Sequence, residues 1–186
     1  MTSPTIEFFF DFNSTYSYLA NVRIRDIAAE TGAQIIYRPM TIIGVMKIAG
    51  NPPTPACPAK FNYNWADAQR WASEYGVTLT DNPHFRKIDT RPLGRMSIGA
   101  EKAGGMGPVK EAFFRGFWAR GLNMGDTEIV RAVLEEELIT ADKVLAWADD
   151  ETFDAELKKN TEEAAERGAF GAPTFFVVKT MFFGND

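Results

Sequence analysis

The apolar positions near both ends of the chain follow the short-run pattern of β-strands. Residues Ile6–Phe10 form a mostly apolar run that closes at Asp11. Its length and aromatic content favour a buried strand over a helix. Near the other end, residues 175–178 and 181–183 form two further runs, joined by Lys179-Thr180. Two strands with such a short connection predict an antiparallel hairpin.

The positions after the first run predict a helix and then a second strand. Apolar side chains recur at roughly helical spacing from Tyr18 to Ala28, and Gly32 is a typical helix end. Residues 13–15, Asn-Ser-Thr, carry side-chain oxygens suited to a helix start. Gln34–Tyr37 is predicted to be a strand that stops at Pro39. Such a unit normally has parallel strands and a right-handed crossover.

Between Thr41 and Gly168 the pattern is mainly helical, with Pro and Gly as breaks. Residues 50–55 contain three prolines and are predicted to form an extended loop. We expect helices over residues 58–75, 91–103, 108–120, 127–137, 141–148 and 154–167. The predicted fold class is therefore α/β: a βαβ unit and a ββ hairpin, with a block of helices inserted between them.

The composition fits one globular domain, or one domain with a large insertion. The chain has 186 residues, of which 45% are hydrophobic and 13% aromatic, which is ample for a packed core and argues against disorder. Its 20 Lys and Arg residues against 25 Asp and Glu residues give a net charge of −5. Such a surface repels phosphate backbones, so a general nucleic-acid binder is not expected.

The apolar runs and the cysteine content predict where the protein resides. No apolar run approaches the roughly 20 residues that span a bilayer, and the N-terminal sequence lacks signal-peptide features. Cys57 is the only cysteine, which excludes a disulfide within the chain and fits a reducing compartment. We therefore predict a cytoplasmic protein without membrane contact. With only Cys57 and His84 as soft ligands, no zinc site is expected.

Ser14 is the first candidate for chemistry, because it lies between the predicted first strand and the helix. A serine here commonly caps the helix by accepting a hydrogen bond from a first-turn N–H group. The start of a helix also holds anions such as a thiolate or a phosphate, since its N–H groups and its dipole are positive. The residue pattern alone leaves both interpretations open.

A second candidate is Gly-Ala-Pro-Thr at residues 171–174, immediately before a predicted strand. A cis X–Pro bond at this place would expose the backbone groups of the preceding residue at the strand end. Because most X–Pro bonds in folded proteins are trans, the segment by itself is weak evidence for a site.

The order of these features resembles the thioredoxin-like fold of the disulfide-oxidoreductase A superfamily, in which helices are inserted into the thioredoxin core. Five separated segments look like those of 2-hydroxychromene-2-carboxylate isomerases and kappa-class glutathione transferases. They are Phe-Asp-Phe-Asn-Ser-Thr-Tyr-Ser-Tyr-Leu-Ala at 10–20, Gly-Asn-Pro-Pro at 50–53, the spacing of Lys60, Tyr63 and Asp67, Phe-Gly-Ala-Pro-Thr-Phe at 170–175, and Phe-Phe-Gly-Asn-Asp at 182–186. Together these matches cover essentially the whole chain in the right order.

The resemblance implies glutathione as the cofactor and assigns residues to it. Ser14 occupies the family's catalytic serine position, where it would hydrogen-bond to the glutathione sulfur. Ala172, before a presumed cis-Pro173, would pair its backbone with the cysteinyl part of glutathione. Asn185 and Asp186 would hold the γ-glutamyl end. Relatives are commonly homodimers, so a homodimer is implied as well.

The resemblance also implies residues near the substrate. Asn51 and Lys60 match positions that contact glutathione or substrate. Lys60, Tyr63 and Asp67 are spaced so that they share one face of the helix after Pro58, and Tyr63 is therefore a substrate-binding candidate. Without the resemblance, this stripe is more simply interpreted as a solvated helix face.

Two departures from the family pattern concern the fold. Thr15 stands where the family usually has Pro, and the sequence stops at Asp186, where family members continue with a basic residue and a closing helix. The resemblance implies a thioredoxin-like domain of residues 1–40 and 168–186, with its closing helix missing. Residues 41–167 would form the helical insertion subdomain.

The activity implied by the resemblance does not use protein thiols. Dithiol redox chemistry usually needs Cys-x-x-Cys at this helix start, and Ser14–Ser17 has none, so oxidoreductase activity is excluded. The implied reaction is glutathione-dependent isomerisation of 2-hydroxychromene-2-carboxylate, a small aromatic carboxylate, to trans-o-hydroxybenzylidenepyruvate in aromatic, naphthalene-type catabolism. A kappa-type glutathione transferase and a non-catalytic glutathione-binding protein are the alternatives.

Overall fold

The computed structural model describes residues 3–185, which form a four-stranded sheet surrounded by helices. Short 3₁₀ turns cover Thr54–Ala56 and Phe85–Lys87, and a π-helical turn covers Arg115–Ala119. The strands and α-helices are β1 (Thr5–Phe10), α1 (Thr15–Thr31), β2 (Gln34–Pro39), α2 (Ile42–Ile48), α3 (Pro58–Glu74), α4 (Arg91–Lys102), α5 (Met106–Phe114), α6 (Thr127–Glu136), α7 (Ala141–Leu145), α8 (Glu151–Glu166), β3 (Thr174–Val177) and β4 (Thr180–Phe183).

The sheet has the strand order β2-β1-β3-β4. β1 pairs in parallel with β2, β3 pairs antiparallel with β1, and β4 pairs antiparallel with β3. Since β1 is an inner strand with both faces covered, Phe8, Phe9 and Phe10 are all fully buried, which explains its continuous aromatic run. The predicted βαβ unit, the hairpin and the α/β class are confirmed.

The turn of the hairpin lies one residue earlier than predicted. Val177 pairs with Thr180, so the two connecting residues are Val178-Lys179 rather than Lys179-Thr180. Val178 has a φ of +58°, a conformation that β-branched residues rarely adopt. The sequence offers no Gly or Asn at this turn, and the register is therefore decided by strand pairing.

Several helices differ from the prediction at their ends. α2 was not predicted. Its N-cap residue Thr41 makes no capping hydrogen bond, and the first N–H group of the helix, on Ile42, donates instead to the distant Asp11 carboxylate at 2.7 Å. The predicted helix 108–120 begins at Met106 and changes to the π-helical turn after Phe114. α8 begins at Glu151 rather than 154, because the Asp150 carboxylate caps it from outside the apolar pattern.

The core has two clusters on opposite faces of the sheet. The larger one joins β1, α1 and the helices α3 to α7; in it the Phe8 ring stacks on Phe175 at 4.7 Å and the Phe12 ring contacts Phe114 at 4.7 Å. The smaller one packs Phe9 and its neighbours against α2 and α8. The larger cluster therefore crosses the predicted boundary at residue 41, and the division into two domains stays a prediction.

A groove of about 920 Å³ runs along the sheet beside β4. Its wall is largely apolar, with Ile6, Ile24, Phe175, Val177 and Phe182 among its residues.

The expectation that the closing helix of the thioredoxin-like domain is missing is not tested by the described residues. Among residues 3–185, no helix is both long enough and apolar enough to cross a bilayer.

A lysine is buried between β2, α1 and α5. The Lys110 side chain is 1% exposed, its ammonium donates to Glu111 at 3.0 Å and to Asn21, and it lies 4.5 Å from the centre of the Tyr37 ring. Burial lowers the pKa of Lys110, while the Glu111 carboxylate opposes that shift. The ion pair with Glu111 and the contact with the Tyr37 ring together offset the cost of burying the Lys110 charge.

We expect Tyr37 to make the folded state sensitive to high pH. Burial, together with the nearby Glu111 carboxylate, raises the pKa of Tyr37 from 10.0 to about 12. The folded state thus favours the neutral phenol, and this contribution is present below pH 10.0 and lost as the pH rises through about 12. In denaturant titrations across that range, the free energy of unfolding should fall more steeply for the wild type than for Tyr37→Phe. Equal slopes would contradict the assignment.

Candidate active site

Ser14 lies at the junction of β1 and α1, where it links two distant parts of the chain. Its Oγ accepts a hydrogen bond from the Ser17 N–H at 3.1 Å and donates one to the Ala172 carbonyl at 3.0 Å. The first contact makes Ser14 the N-cap of α1, as one of the two interpretations of the sequence expected. The second contact brings it against the loop before β3, which a cap does not require.

The loop before β3 has the backbone conformation that the sequence suggested. The Ala172–Pro173 peptide bond is cis. Gly171, Ala172, Pro173 and Thr174 are all buried, and the Thr174 hydroxyl donates to the Gly171 carbonyl at 3.0 Å. The loop is therefore a packed part of the site, with the Ala172 carbonyl turned towards the start of α1.

The corner that carries Ser14 is organised by Asp11, which sequence reasoning did not single out. The buried Asp11 carboxylate accepts from the Asn13 N–H at 2.9 Å, the Ile42 N–H at 2.7 Å and the Thr90 hydroxyl at 2.7 Å. Burial raises the pKa of Asp11, while the three hydrogen bonds act in the opposite direction. A carboxylate directly after an apolar strand was the available signal, but its partners are distant in sequence.

Asn51, in the proline-rich loop, lines the same cavity as Ser14. Its side-chain amide donates to the Phe170 carbonyl at 2.8 Å. This bond ties the loop after α2 to the segment that leads into the cis proline. Asn51 therefore holds the two segments together and also lines the cavity that contains Ser14.

The predicted stripe on α3 lies along the cavity wall. Lys60 is exposed in the first turn of α3, and Tyr63 is 62% exposed one turn later. Asp67 accepts a hydrogen bond from the Tyr16 hydroxyl at 2.8 Å, which joins α3 to α1. The solvated-face interpretation thus applies to much of the surface of Lys60 and Tyr63, whereas Asp67 is engaged by the protein itself.

Asn185 closes the far end of the site. Its backbone carbonyl accepts from the Tyr75 hydroxyl at 2.9 Å, and its side-chain amide donates to the same hydroxyl at 3.3 Å. Asp186, the second residue assigned to the γ-glutamyl end, lies outside the described residues.

A single cavity of about 750 Å³ brings the predicted residues together. Its volume is ordinary for a small-molecule site. The lining includes all seven described candidates: Ser14, Asn51, Lys60, Tyr63, Ala172, Pro173 and Asn185. It also includes residues that the sequence did not single out, among them Tyr16, Phe61, Phe85 and Arg86.

Comparison with known proteins decides the family. Residues 5–186 match the family described as a DSBA-like thioredoxin domain. The chain belongs to this family. A 2-hydroxychromene-2-carboxylate isomerase from Sphingobium xenophagum is 35% identical to this DSBA-like protein over 186 residues, with 99% of this chain and 94% of that protein covered.

Two further comparisons agree with this assignment. A solved structure of a 2-hydroxychromene-2-carboxylate isomerase has a TM-score of 0.85 and 28% identity to the DSBA-like protein, over 98% of this chain and 89% of that one. A glutathione S-transferase kappa 1 from Caenorhabditis elegans is 27% identical over 98% of this chain and 87% of its own length. The thioredoxin-like fold and the resemblance drawn from the five segments are thereby confirmed.

Proposed function

We propose that this protein is a glutathione-dependent isomerase that converts 2-hydroxychromene-2-carboxylate to trans-o-hydroxybenzylidenepyruvate. The observation that carries the proposal is the position of the Ser14 hydroxyl, at the start of α1 and 3.0 Å from the Ala172 carbonyl, in a cavity lined by Asn51 and Lys60. A protein of that name is 35% identical over nearly the whole chain.

The chemistry of the lining residues suits glutathione. The tripeptide carries carboxylates, an amine and a thiol, and the cavity offers the Lys60 cation, the amides of Asn51 and Asn185 and the hydroxyl of Ser14. The proposed contacts are Ser14 with the sulfur, the Ala172 backbone beside cis-Pro173 with the cysteinyl part, and Asn185 with Asp186 at the γ-glutamyl end. When bound, glutathione would supply a thiolate that adds reversibly to the conjugated enone of the ring-opened substrate, so that a double bond becomes rotatable.

Ser14 would keep that sulfur deprotonated. A free thiol has a pKa of about 8.5, and each unit of depression requires roughly 1.4 kcal/mol of preferential stabilisation of the thiolate. A hydrogen bond to a charged acceptor contributes about 1.5–3 kcal/mol, and the helix start about 0.3–1 kcal/mol. One hydroxyl at the start of α1 therefore supplies enough to lower the pKa by one to about two units.

Lys60 and Asn51 would act on the substrate's oxygens. The negative charge that develops on an enolate is stabilised by a nearby cation and by an amide donor. Lys60 projects from the first turn of α3, whose positive end adds to its charge. Tyr63, one turn further along α3, offers an aromatic face to the substrate ring.

A kappa-type glutathione transferase is the second candidate, favoured by the kappa 1 relative. It would use the same sulfur, but its product would leave with glutathione attached.

We also propose that the enzyme is cytoplasmic, acts in aromatic catabolism and forms a homodimer, as the resemblance implies. Sedimentation of the purified chain tests the dimer directly.

The activity is tested by mixing the protein, glutathione and 2-hydroxychromene-2-carboxylate and following the ultraviolet spectrum. We expect conversion well above the protein-free rate, only when glutathione is present and without glutathione consumption. Conversion without glutathione would contradict the mechanism. If the spectrum of the chromene does not change but glutathione is conjugated to a chlorinated nitroaromatic, the transferase is favoured. If glutathione binds tightly and neither reaction occurs, the non-catalytic binder is favoured.

A further inference from the structure

Arg86 lies on the wall of the candidate cavity with its guanidinium held over two aromatic rings. Its Cζ is 4.8 Å from the centre of the Phe61 ring and 5.7 Å from that of Phe85. The two rings are themselves nearly parallel, 4° apart with centres 6.2 Å from each other. Arg86 is exposed, and cation–π contact with the two rings favours this placement of its guanidinium.

The rings below Arg86 are anchored to the corner that carries Ser14. Phe85 contacts the ring of Trp118 at 5.9 Å, and the Trp118 indole N–H donates to the Phe12 carbonyl at 2.8 Å. Trp118 and Phe12 are both buried. A chain of contacts through Phe85 and Trp118 therefore connects the Arg86 guanidinium to Phe12, which precedes Ser14 by two residues.

The charge of Arg86 is not neutralised by the part of the chain that the structure describes. No carboxylate of residues 3–185 forms an ion pair with Arg86, and the one carboxylate on the cavity wall, Asp67, is taken by Tyr16 and Arg70. Stacking uses the flat faces of a guanidinium and leaves its N–H edge available for a bidentate carboxylate. In a protein of net charge −5, Arg86 and Lys60 are the cations that the described cavity wall offers to an anion.

We propose that Arg86 is a specificity-determining residue that binds the carboxylate of the substrate. The site would thus select aromatic compounds whose conjugated chain ends in a carboxylate over uncharged electrophiles of the same shape. Lys60 is then left to the oxygen of the developing enolate or to glutathione. This inference rests on the proposed function, since it names the group by which the substrate is recognised.

Binding of the reaction product and of its methyl ester tests the proposal without turnover. Both compounds are titrated into protein saturated with S-methylglutathione, which has no free thiol, and binding is followed by tryptophan fluorescence, since Trp65 and Trp71 line the cavity. We expect the wild type to prefer the acid by about tenfold, the effect of one charge-assisted pair at a partly solvated site. Arg86→Gln should abolish that preference, and Arg86→Lys should retain part of it.

Lys87→Gln is the matched control, because Lys87 is exposed on the same turn and does not line the cavity. It changes the net charge equally and should keep the acid preference. An equal loss in Lys87→Gln, no acid preference in the wild type, or an unchanged preference in Arg86→Gln would each overturn the proposal. So would a weakened affinity of Arg86→Gln for glutathione itself with the acid preference intact.

The isomerase assay separates this proposal from the proposed function. If the wild type prefers the acid through Arg86 but does not isomerise the substrate, the proposed function fails and the carboxylate site stands. If the wild type isomerises the substrate and Arg86→Gln leaves KM and the acid preference unchanged, only the role of Arg86 fails. In the supported case, Arg86→Gln raises KM for the substrate by about tenfold with a smaller change in kcat.

Discussion

Replacing Ser14 with alanine is expected to lower kcat/KM for isomerisation about a hundredfold, the usual effect of removing one donor that stabilises developing or fixed negative charge. The Ser14 hydroxyl donates to the Ala172 carbonyl at 3.0 Å, and in the proposed complex it donates to the glutathione sulfur instead. Without it, the pKa of bound glutathione should return towards about 8.5. The rate would then require a higher pH, because the reactive thiolate forms only as the pH approaches that pKa. Rates measured across a pH series, with thiolate absorbance in the complex, check both effects.

The same substitution also removes a helix cap, so it needs a control for stability. Asp126 caps α6 in the same way, accepting from the N–H groups of Glu128 and Ile129, and it lies away from the cavity. Each alanine variant should lose about 1 kcal/mol of unfolding free energy from its cap, and Ser14→Ala should lose about 1 kcal/mol more with the buried bond to Ala172. Asp126→Ala should nevertheless keep the wild-type kcat/KM and pH profile. A full rate for Ser14→Ala, or an equal loss of rate in Asp126→Ala, would count against the assignment.

Replacing Asp11 with alanine should produce the largest loss of stability among the substitutions considered, about 3 kcal/mol. The change leaves the Asn13 and Ile42 N–H groups and the Thr90 hydroxyl without their acceptor, and an unsatisfied buried donor costs about 1–3 kcal/mol. Entry of water into the vacated space keeps the total below the sum. The Ser14 corner and the start of α2 would both loosen, so glutathione affinity should fall as well. Denaturant unfolding and calorimetric titration measure the two losses.

Two variants make this result specific. Asp11→Asn keeps the shape and one acceptor oxygen and should lose less stability than Asp11→Ala. Because burial raises the pKa of Asp11, the wild-type free energy of unfolding should decline as the pH rises through that pKa, and Asp11→Asn should not show this decline. Asp142→Ala removes an exposed carboxylate paired with Arg131 at 2.6 Å and should change stability by less than about 1 kcal/mol. Similar losses for Asp11→Ala and Asp142→Ala would refute the role given to Asp11.

Helix ends show where sequence patterns stop being informative. α1 and α3 were predicted within about two residues, because periodicity and a terminal Gly mark them locally. α2 was missed, since its first N–H group is satisfied by Asp11, 31 residues earlier. The turn of the final hairpin was misplaced by one residue for a related reason: Val178 is forced into positive φ by pairing of β3 and β4 rather than by its own preference.

The residues of the candidate site likewise fall into those that the sequence indicated and one that only the structure revealed. Ser14 and the Ala172–Pro173 segment were singled out from the local sequence, Asn51 and Lys60 were implied by the family resemblance, and the structure brings all of them to one cavity. Arg86 was not named, because its significance depends on lying over Phe61, which is 25 residues away in another element. No short pattern around Arg86 distinguishes it from an ordinary solvated cation.

The sequence by itself determined the strands at both ends, the helix that begins beside Ser14 and the lack of a dithiol pair, because periodicity, capping and residue type act over a few positions. Only the tertiary structure decided that the Ser14 hydroxyl meets the Ala172 carbonyl, 158 residues away, and that Asn51 meets Phe170, 119 residues away. Contacts of this kind result from the packing of the whole core on both faces of the sheet. Short stretches of sequence cannot specify them, since each partner is chosen by elements that lie elsewhere in the chain.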